Sequence, residues 1–172
     1  VLAAMLRLWW TRGRDPRLRP IVVAYEPPDN LTPAEVGTLA DESPDVRDIT
    51  ATVVNLAVRG YLRIEEQKTE QLFGLWTSTD YLFHRIKPKE DWAGLPTHER
   101  LLLQALYKDV DGDAVSLSSL ENRFYRSLPG IRDAIFDSLQ GRAYYGQRPD
   151  RVKQNYYLAG GILALGLTFG LA

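Results

Sequence analysis

The sequence predicts an α+β fold of two winged-helix-like units in tandem, with the end of a transmembrane helix on each side. Three observations predict it. Both ends of the chain are apolar and nearly free of charge. Between them, helix-start and helix-stop signals alternate with short β-prone segments. The order helix, helix, glycine, hairpin occurs once and then recurs in outline.

Residues 1–12 read as the end of a spanning helix. Val1 to Trp10 is apolar except for Arg7 and closes on Trp9 and Trp10. Arg12 and Arg14 follow at once. Paired aromatics beside arginine suit a membrane–water boundary, where the rings sit at headgroup depth and the cation faces water. Arg7 is near enough to the helix end to snorkel toward that boundary. A signal peptide has its positive residues before the apolar core, whereas here they come after it.

Residues 13–32 read as a linker with one short strand. Prolines stand at 16, 20, 27 and 28, and Ile21-Val22-Val23 is β-prone.

Residues 33–90 read as the first unit. In Thr32-Pro33-Ala34-Glu35 the threonine suits an N-cap, the proline the first helical position and the glutamate a capping box. That helix is expected to run to about Ala40. A second helix is expected from Asp45–Asp48 to Gly60, with Ile49, Val53, Leu56 and Ala57 at helical spacing and Gly60 as the left-handed cap. Tyr61 to Glu66 alternates apolar and charged residues. With Asp80 to Ile86 it is expected to form a hairpin, the wing.

Residues 91–150 read as the second unit. Thr97 is expected to cap a helix through Lys108, with Leu101, Leu102, Ala105 and Leu106 on its apolar side. Val115 marks a short strand, and Ser116 or Ser118 begins a helix to about Tyr125. Leu128, Ile131, Ile135 and Leu139 fall at helical spacing up to Gly141. Arg142 to Gln147 is expected to be a truncated wing.

Residues 151–172 read as the start of a second spanning helix. No charge occurs from Tyr156 to Ala172, and Gly160, Gly161, Gly166 and Gly170 interrupt the apolar run. Such glycines are costly in soluble helices and common in membrane ones. A spanning helix needs roughly 20 apolar residues, so this run is slightly short. Arg148, Arg151 and Lys153 precede Tyr156 and Tyr157, mirroring the first end. Both basic clusters lie on the inner side of the apolar runs, so the positive-inside rule puts the intervening region in the cytoplasm of a multi-pass cell-membrane protein. The expected membrane-interface residues are Trp9, Trp10, Arg12, Arg14, Arg148, Arg151, Lys153, Tyr156 and Tyr157, and the first expected partner is the lipid bilayer.

The composition narrows the chemistry. The chain has 172 residues, a net charge of -1, no cysteine and two histidines, which excludes disulfide scaffolds and cysteine metal sites. Asp109-Val110-Asp111-Gly112-Asp113 invites a calcium loop, but the sixth and twelfth positions hold Ala114 and Leu120 instead of glycine and glutamate. His98-Glu99 lacks the second histidine of a zinc helix, because that position is Leu102. Asn30-Leu31-Thr32 matches a glycosylation acceptor, which is inert in the cytoplasm. No phosphate loop and no nucleophile elbow is visible. The sequence therefore predicts no catalytic residue, no cofactor and no metal.

Winged helices often bind DNA, which requires a basic face. The candidate recognition helix Asp48 to Arg59 offers Thr50, Thr52 and Asn55 outward, and only Arg59 as a cation within it. Arg123, Arg126, Arg132 and Arg142 form the better candidate face for nucleic acid or a protein partner, offset by Glu121, Asp133 and Asp137.

Several segments together resemble a known family. They are Gly13-Arg14-Asp15-Pro16, Tyr25-Glu26-Pro27-Pro28, Leu31-Thr32-Pro33-Ala34-Glu35-Val36-Gly37, Asp48-Ile49-Thr50-Ala51-Thr52 and Leu56-Ala57-Val58-Arg59-Gly60-Tyr61-Leu62. The chain from Gly13 onward resembles the YciQ-like predicted membrane proteins, whose domain is of unknown function. The resemblance implies an extracytoplasmic β-rich domain, a membrane helix, a cytoplasmic region like this one and further membrane helices. It supplies no catalytic residues. The expectation is a non-enzymatic cytoplasmic interaction or regulatory module that binds a protein partner or itself. The rival is a membrane-anchored winged-helix DNA-binding regulator.

Overall fold

The computed structural model describes residues 2–12, 27–71, 76–110, 112–120 and 123–169. The chain forms two compact units, Val1–Asn30 and Leu31–Ala172. The expected strand at Ile21–Val23 lies outside the described residues.

In the first unit, α1 spans Leu2–Arg12. All its described side chains are exposed, including Leu2, Met5, Leu6, Leu8, Trp9 and Trp10. Trp9 and Trp10 meet edge to face, with ring centroids 6.2 Å apart.

The second unit opens with α2, Pro33–Asp41, and α3, Val46–Val58. The capping box read at Thr32 is formed. The Glu35 N–H donates to Thr32 Oγ1 at 3.4 Å and the Thr32 N–H donates to Glu35 Oε2 at 2.7 Å. α3 starts in a similar way, with the Asp45 N–H donating to Asp48 Oδ2 at 2.9 Å. It ends in a Schellman turn, in which the Gly60 N–H reaches the Ala57 carbonyl and the Tyr61 N–H the Leu56 carbonyl, both at 2.9 Å. Gly60 takes φ +73° there, as a left-handed cap demands.

Two long strands follow, β1 (Leu62–Gln71) and β2 (Trp76–Arg85), paired antiparallel with Leu62 opposite Arg85 and Gln71 opposite Trp76. Both run further into the polar stretch than alternation alone suggested, because each residue added to the ladder satisfies backbone groups whatever its side chain. Next comes α4, Thr97–Leu106. Pro96, rather than Thr97, occupies its N-cap position.

β3, Ala114–Ser116, pairs antiparallel with β2, giving the sheet order β1-β2-β3. This pairing corrects the tandem reading: among the described residues there is one three-stranded sheet, not two wings. Residues 33–90 supply two of its strands and residues 91–150 the third. They also share one core, in which Ile49, Leu56, Leu62 and Phe83 join Leu102, Leu103, Val115, Ile131, Ile135 and Leu139.

The helix expected from Ser116 or Ser118 to Tyr125 is shorter. α5 covers Leu117–Leu120, and a 3-10 turn covers Phe124–Ser127. α6 spans Leu128–Gly141, with the expected stripe of Leu128, Ile131, Ile135 and Leu139 buried. No strand forms over Arg142–Gln147. Arg142 caps α6 and Ala143 turns left-handed at φ +61°. The Ala143 N–H then bonds the Gln140 carbonyl and the Tyr144 N–H the Leu139 carbonyl, each at 3.0 Å, a second Schellman turn.

α7 spans Pro149–Phe169, and its residues from Lys153 to Ile162 are exposed. None of the described helices is long and apolar enough to cross a membrane. In α7, Asp150, Arg151, Lys153, Gln154 and Asn155 make the first turns polar.

Candidate functional site

Two features of the second unit concentrate unusual chemistry. One is a buried polar cluster and the other an open apolar groove.

The polar cluster joins α2, α3, α4 and α6. Glu35 is the second residue after Pro33, and the helical turn carries its side chain inward until none of it is exposed. Its Oε1 accepts a 2.5 Å hydrogen bond from Ser138 Oγ, and Arg142 Nε lies 3.9 Å away. Its Oε2 accepts from Thr32 Oγ1 at 3.0 Å. Thr32 Oγ1 in turn lies 2.9 Å from His98 Nε2. A threonine hydroxyl has one hydrogen. With that hydrogen given to the carboxylate, His98 Nε2–H is the donor and the lone pair sits on Nδ1. His98 is 1% exposed, and its Nδ1 has no hydrogen-bond partner.

Burial sets the titration of this cluster. Burial raises Glu35, but the bonds from Ser138 and Thr32, with His98 nearby, outweigh it and leave the carboxyl below its ordinary value. Burial lowers the His98 imidazole. Glu35 opposes that shift, Arg142 adds to it, and the ring stays neutral at pH 7. Glu99 is fully buried beside them, with both oxygens 2.8 Å from Arg59 Nη1. Its burial outweighs the arginine and raises the carboxyl.

A serine, a histidine and two glutamates in one place suggest hydrolytic chemistry, but the wiring differs. Ser138 donates to a carboxylate, and His98 contacts Thr32. A nucleophile needs its base within reach and a substrate beside it, whereas Glu35, Glu99 and His98 lie within the packed interior. The cluster is a fastening between helices. Among the described residues no group of three or more His, Cys, Asp or Glu is placed to hold a metal ion.

The groove has a volume of about 670 Å³ and runs between α3, the β1–β2 hairpin and the α5 region. Val46, Thr50 and Val54 form one wall, Ile64, Tyr81 and Phe83 the floor, and Leu117, Phe124 and Tyr125 the other wall. Helical spacing explains the first wall: Ile49, Val53 and Leu56 turn into the core, leaving Val46 and Val54 on the outer side, 57% and 50% exposed. Among the described residues of this lining, Asp80 is the one acidic residue. Its oxygens are taken up by Ser118 Oγ at 2.6 Å and by the N–H groups of Tyr81 and Ser118 at 2.8 and 3.2 Å. The Ser118 hydroxyl, above all, holds the Asp80 carboxyl below its usual value. A guest in the groove therefore meets an almost wholly apolar surface.

The residues singled out in the sequence meet different surroundings. Of the candidate partner-face arginines, Arg142 turns toward Glu35, and the buried Arg123 Nε has no hydrogen-bond partner. Arg126 and Arg132 are exposed on separate elements. Thr52, expected to face outward on the recognition helix, is 1% exposed and donates to the Asp48 carbonyl at 2.9 Å. Arg59 is engaged by Glu99.

Of the expected interface residues, Trp9, Trp10, Arg151, Lys153, Tyr156 and Tyr157 are exposed. Lys153 Nζ lies 3.4 Å from Glu42 Oε2. Arg12 closes α1, and Arg14 lies outside the described residues. Arg148 is the exception. It is 7% exposed and pairs with Asp133, Asp137 and Asp150, so it does not face headgroups.

Sequence reasoning missed the groove because its walls come from segments about 70 residues apart. The signal in the sequence was an excess of apolar positions: Val46 and Val54 fall off the buried stripe of α3.

No curated protein and no solved structure matches the chain. Residues 22–172, all of the second unit and part of the first, match the family described as "Predicted membrane protein (DUF2207) C-terminal domain". The chain therefore belongs to the DUF2207 family of predicted membrane proteins and carries its C-terminal domain.

Proposed function

We propose that this domain is a non-enzymatic interaction module held at the cytoplasmic face of the membrane, and that it engages a protein partner through the apolar groove. The groove carries the proposal. Monomeric surfaces rarely leave a contiguous apolar patch open to water unless something binds there. With Asp80 saturated by its own neighbours, the guest that fits is the apolar side of a protein segment without a buried charge.

Membership of a predicted membrane protein family supports the tether. So do α1, whose apolar side chains are all exposed, and the exposed pair Tyr156 and Tyr157 beside Arg151 and Lys153. In this reading residues 1–12 and 151–172 lead into the bilayer of a multi-pass protein, and the basic clusters face the cytosol. The nucleic-acid alternative needs a continuous basic face, and it is weakened because Arg142 turns toward Glu35 and the Arg123 Nε is buried.

Photo-crosslinking in intact membranes tests this. A photoreactive residue at Val54 or Leu117 is expected to give one discrete adduct that a probe at the exposed Lys108 does not. Val54→Glu, with the fold retained, is expected to abolish the Leu117 adduct. Adducts that ignore position, or that survive Val54→Glu, would overturn the assignment. A reporter at Gly112 found outside the cell would overturn the cytoplasmic placement.

A further inference from the structure

The junction between α6 and α7 is built around one buried arginine. Arg148 is the residue immediately before α7, and its carbonyl accepts the Val152 N–H at 3.1 Å, opening the helix. Its guanidinium reaches back to α6: Nη2 donates to Asp133 Oδ1 at 2.6 Å, and Nη1 lies 3.6 Å from Asp137 Oδ1. It also reaches forward into α7, where Nε and Nη2 donate to the two Asp150 oxygens at 3.2 and 3.1 Å. The plane sits over the Phe136 ring, 4.7 Å from its centroid. One cation therefore joins three carboxylates on two helices while only 7% of it is exposed.

The connecting residues are fastened as well. Phe136 packs against Tyr145 with centroids 6.3 Å apart, and the Tyr145 hydroxyl donates to the Thr38 carbonyl of α2 at 3.0 Å. Lys153 of α7 and Glu42 at the end of α2 approach to 3.4 Å, an exposed tie that contributes little by itself. Beyond these anchors α7 runs fully exposed from Lys153 to Ile162. Among the described side chains of α7, the ties to the rest of the second unit lie in its first turns.

We infer that Arg148 locks the α6–α7 junction as a rigid elbow, so that α7 and the body of the second unit move as one piece. The reason is geometric. A guanidinium offers several donors in one plane, and three carboxylates around it fix that plane against both helices at once. Without the arginine, Asp133, Asp137 and Asp150 are three close like charges, and the same site pushes α7 away. If α7 leads into the bilayer, as proposed above, a tilt of that helix would reorient the groove. That consequence rests on the membrane reading, whereas the elbow does not.

Distance measurements between spin labels test the elbow. The chain has no cysteine, so a pair introduced at the exposed Lys108 and Asn155 of this 172-residue chain in detergent reports the angle cleanly. The native pair is expected to give a single narrow distance distribution. Arg148→Met, which keeps the apolar stem, is expected to widen it at least twofold, while Arg151→Met, the same charge change nearby, leaves it unchanged. Asp133→Asn with Asp137→Asn should widen it to a lesser degree, and this pair serves as the test if Arg148→Met fails to fold. A broad native distribution overturns the elbow. So does a width unmoved by folded Arg148→Met or by the double asparagine variant. The readout is free of partner and lipid, so its failure is distinct from a failure of the crosslinking experiment.

Discussion

Ser138 on α6 donates a 2.5 Å hydrogen bond to Glu35 on α2, across 103 positions of sequence, and thereby closes the helical face of the second unit over a charged side chain with no exposure. A bond to a buried carboxylate contributes about 1.5–3 kcal/mol, more than a neutral one. Ser138→Ala is expected to lower unfolding stability by about that amount, measured by urea denaturation. Glu35→Gln is expected to cost at least as much, because the amide must turn a donor toward Thr32 or Ser138. The two losses should not add, since both break one bond. Additive losses would show that the bond is not the connection between them.

Acid is expected to weaken the domain, beginning near neutrality. The folded His98 binds its proton less readily than an ordinary histidine at 6.5, so it contributes stability above that value, which is lost as pH falls. Glu35 is depressed below the ordinary 4.5 and adds a further loss at lower pH. Glu99 is raised and acts oppositely: its contribution is present at low pH and is lost as pH rises through its folded value. The share of unfolding stability that depends on His98 should therefore fall from pH 7.5 to 5.5 in the native chain. In His98→Gln the fall near pH 6.5 should disappear. A native curve that keeps the same shape in His98→Gln over this range would refute the assignment to His98.

Two helix ends share one geometry but not one residue. Gly60 and Ala143 both stand at the left-handed position of a Schellman turn, at φ +73° and +61°. Alanine is strained there and glycine is not. Gly60→Ala is expected to lower stability by about 1 kcal/mol, and Ala143→Gly to raise it by up to about 1 kcal/mol. Thermal melts of the two variants should shift in opposite directions.

Gly37 is small for a different reason. A β-carbon there would lie 2.1 Å from Asp48 Oδ1, the side chain that receives the Asp45 N–H at the start of α3. Gly37→Ala gains helix propensity but must displace a buried carboxylate from its bond. Overpacking of this kind costs about 1–3 kcal/mol, so a net loss is expected in chemical denaturation. A stabilised Gly37→Ala would mean that Asp48 moves freely.

Arg59 and Glu99 form a half-buried pair, with side-chain exposures of 37% and 0%. Arg59→Met strands the carboxylate and is expected to cost about 1–3 kcal/mol, less than in a fully buried pair because water reaches the arginine. Replacing both, as Arg59→Met with Glu99→Leu, should recover most of that loss. No recovery in urea denaturation would indicate that the pair itself is a net source of stability.

Much of the local structure was legible. Thr32, Pro33 and Glu35 specify the start of α2 because every partner in a capping box lies within four residues. Gly60 specifies the end of α3, and the stripes Ile49–Leu56 and Leu128–Leu139 mark the buried faces of α3 and α6. The end of α6 was less legible. Its left-handed residue is Ala143, which carries no glycine signal and tolerates φ +61° because the surrounding turn holds it. For the same reason Arg142–Gln147 becomes a fastened turn instead of a wing.

The sequence by itself determined the helices with caps, the hairpin and the apolar, aromatic and basic character of both ends, because those depend on neighbours a few residues apart. Only the tertiary structure decided the rest. It paired β3 with β2, so that one sheet and one core span what looked like two units. It drew Arg148 inward between three carboxylates and brought Val54 opposite Leu117 to form the groove. Each of these joins residues distant along the chain, and long-range contacts of that kind are set by which faces can be buried together, not by any local preference.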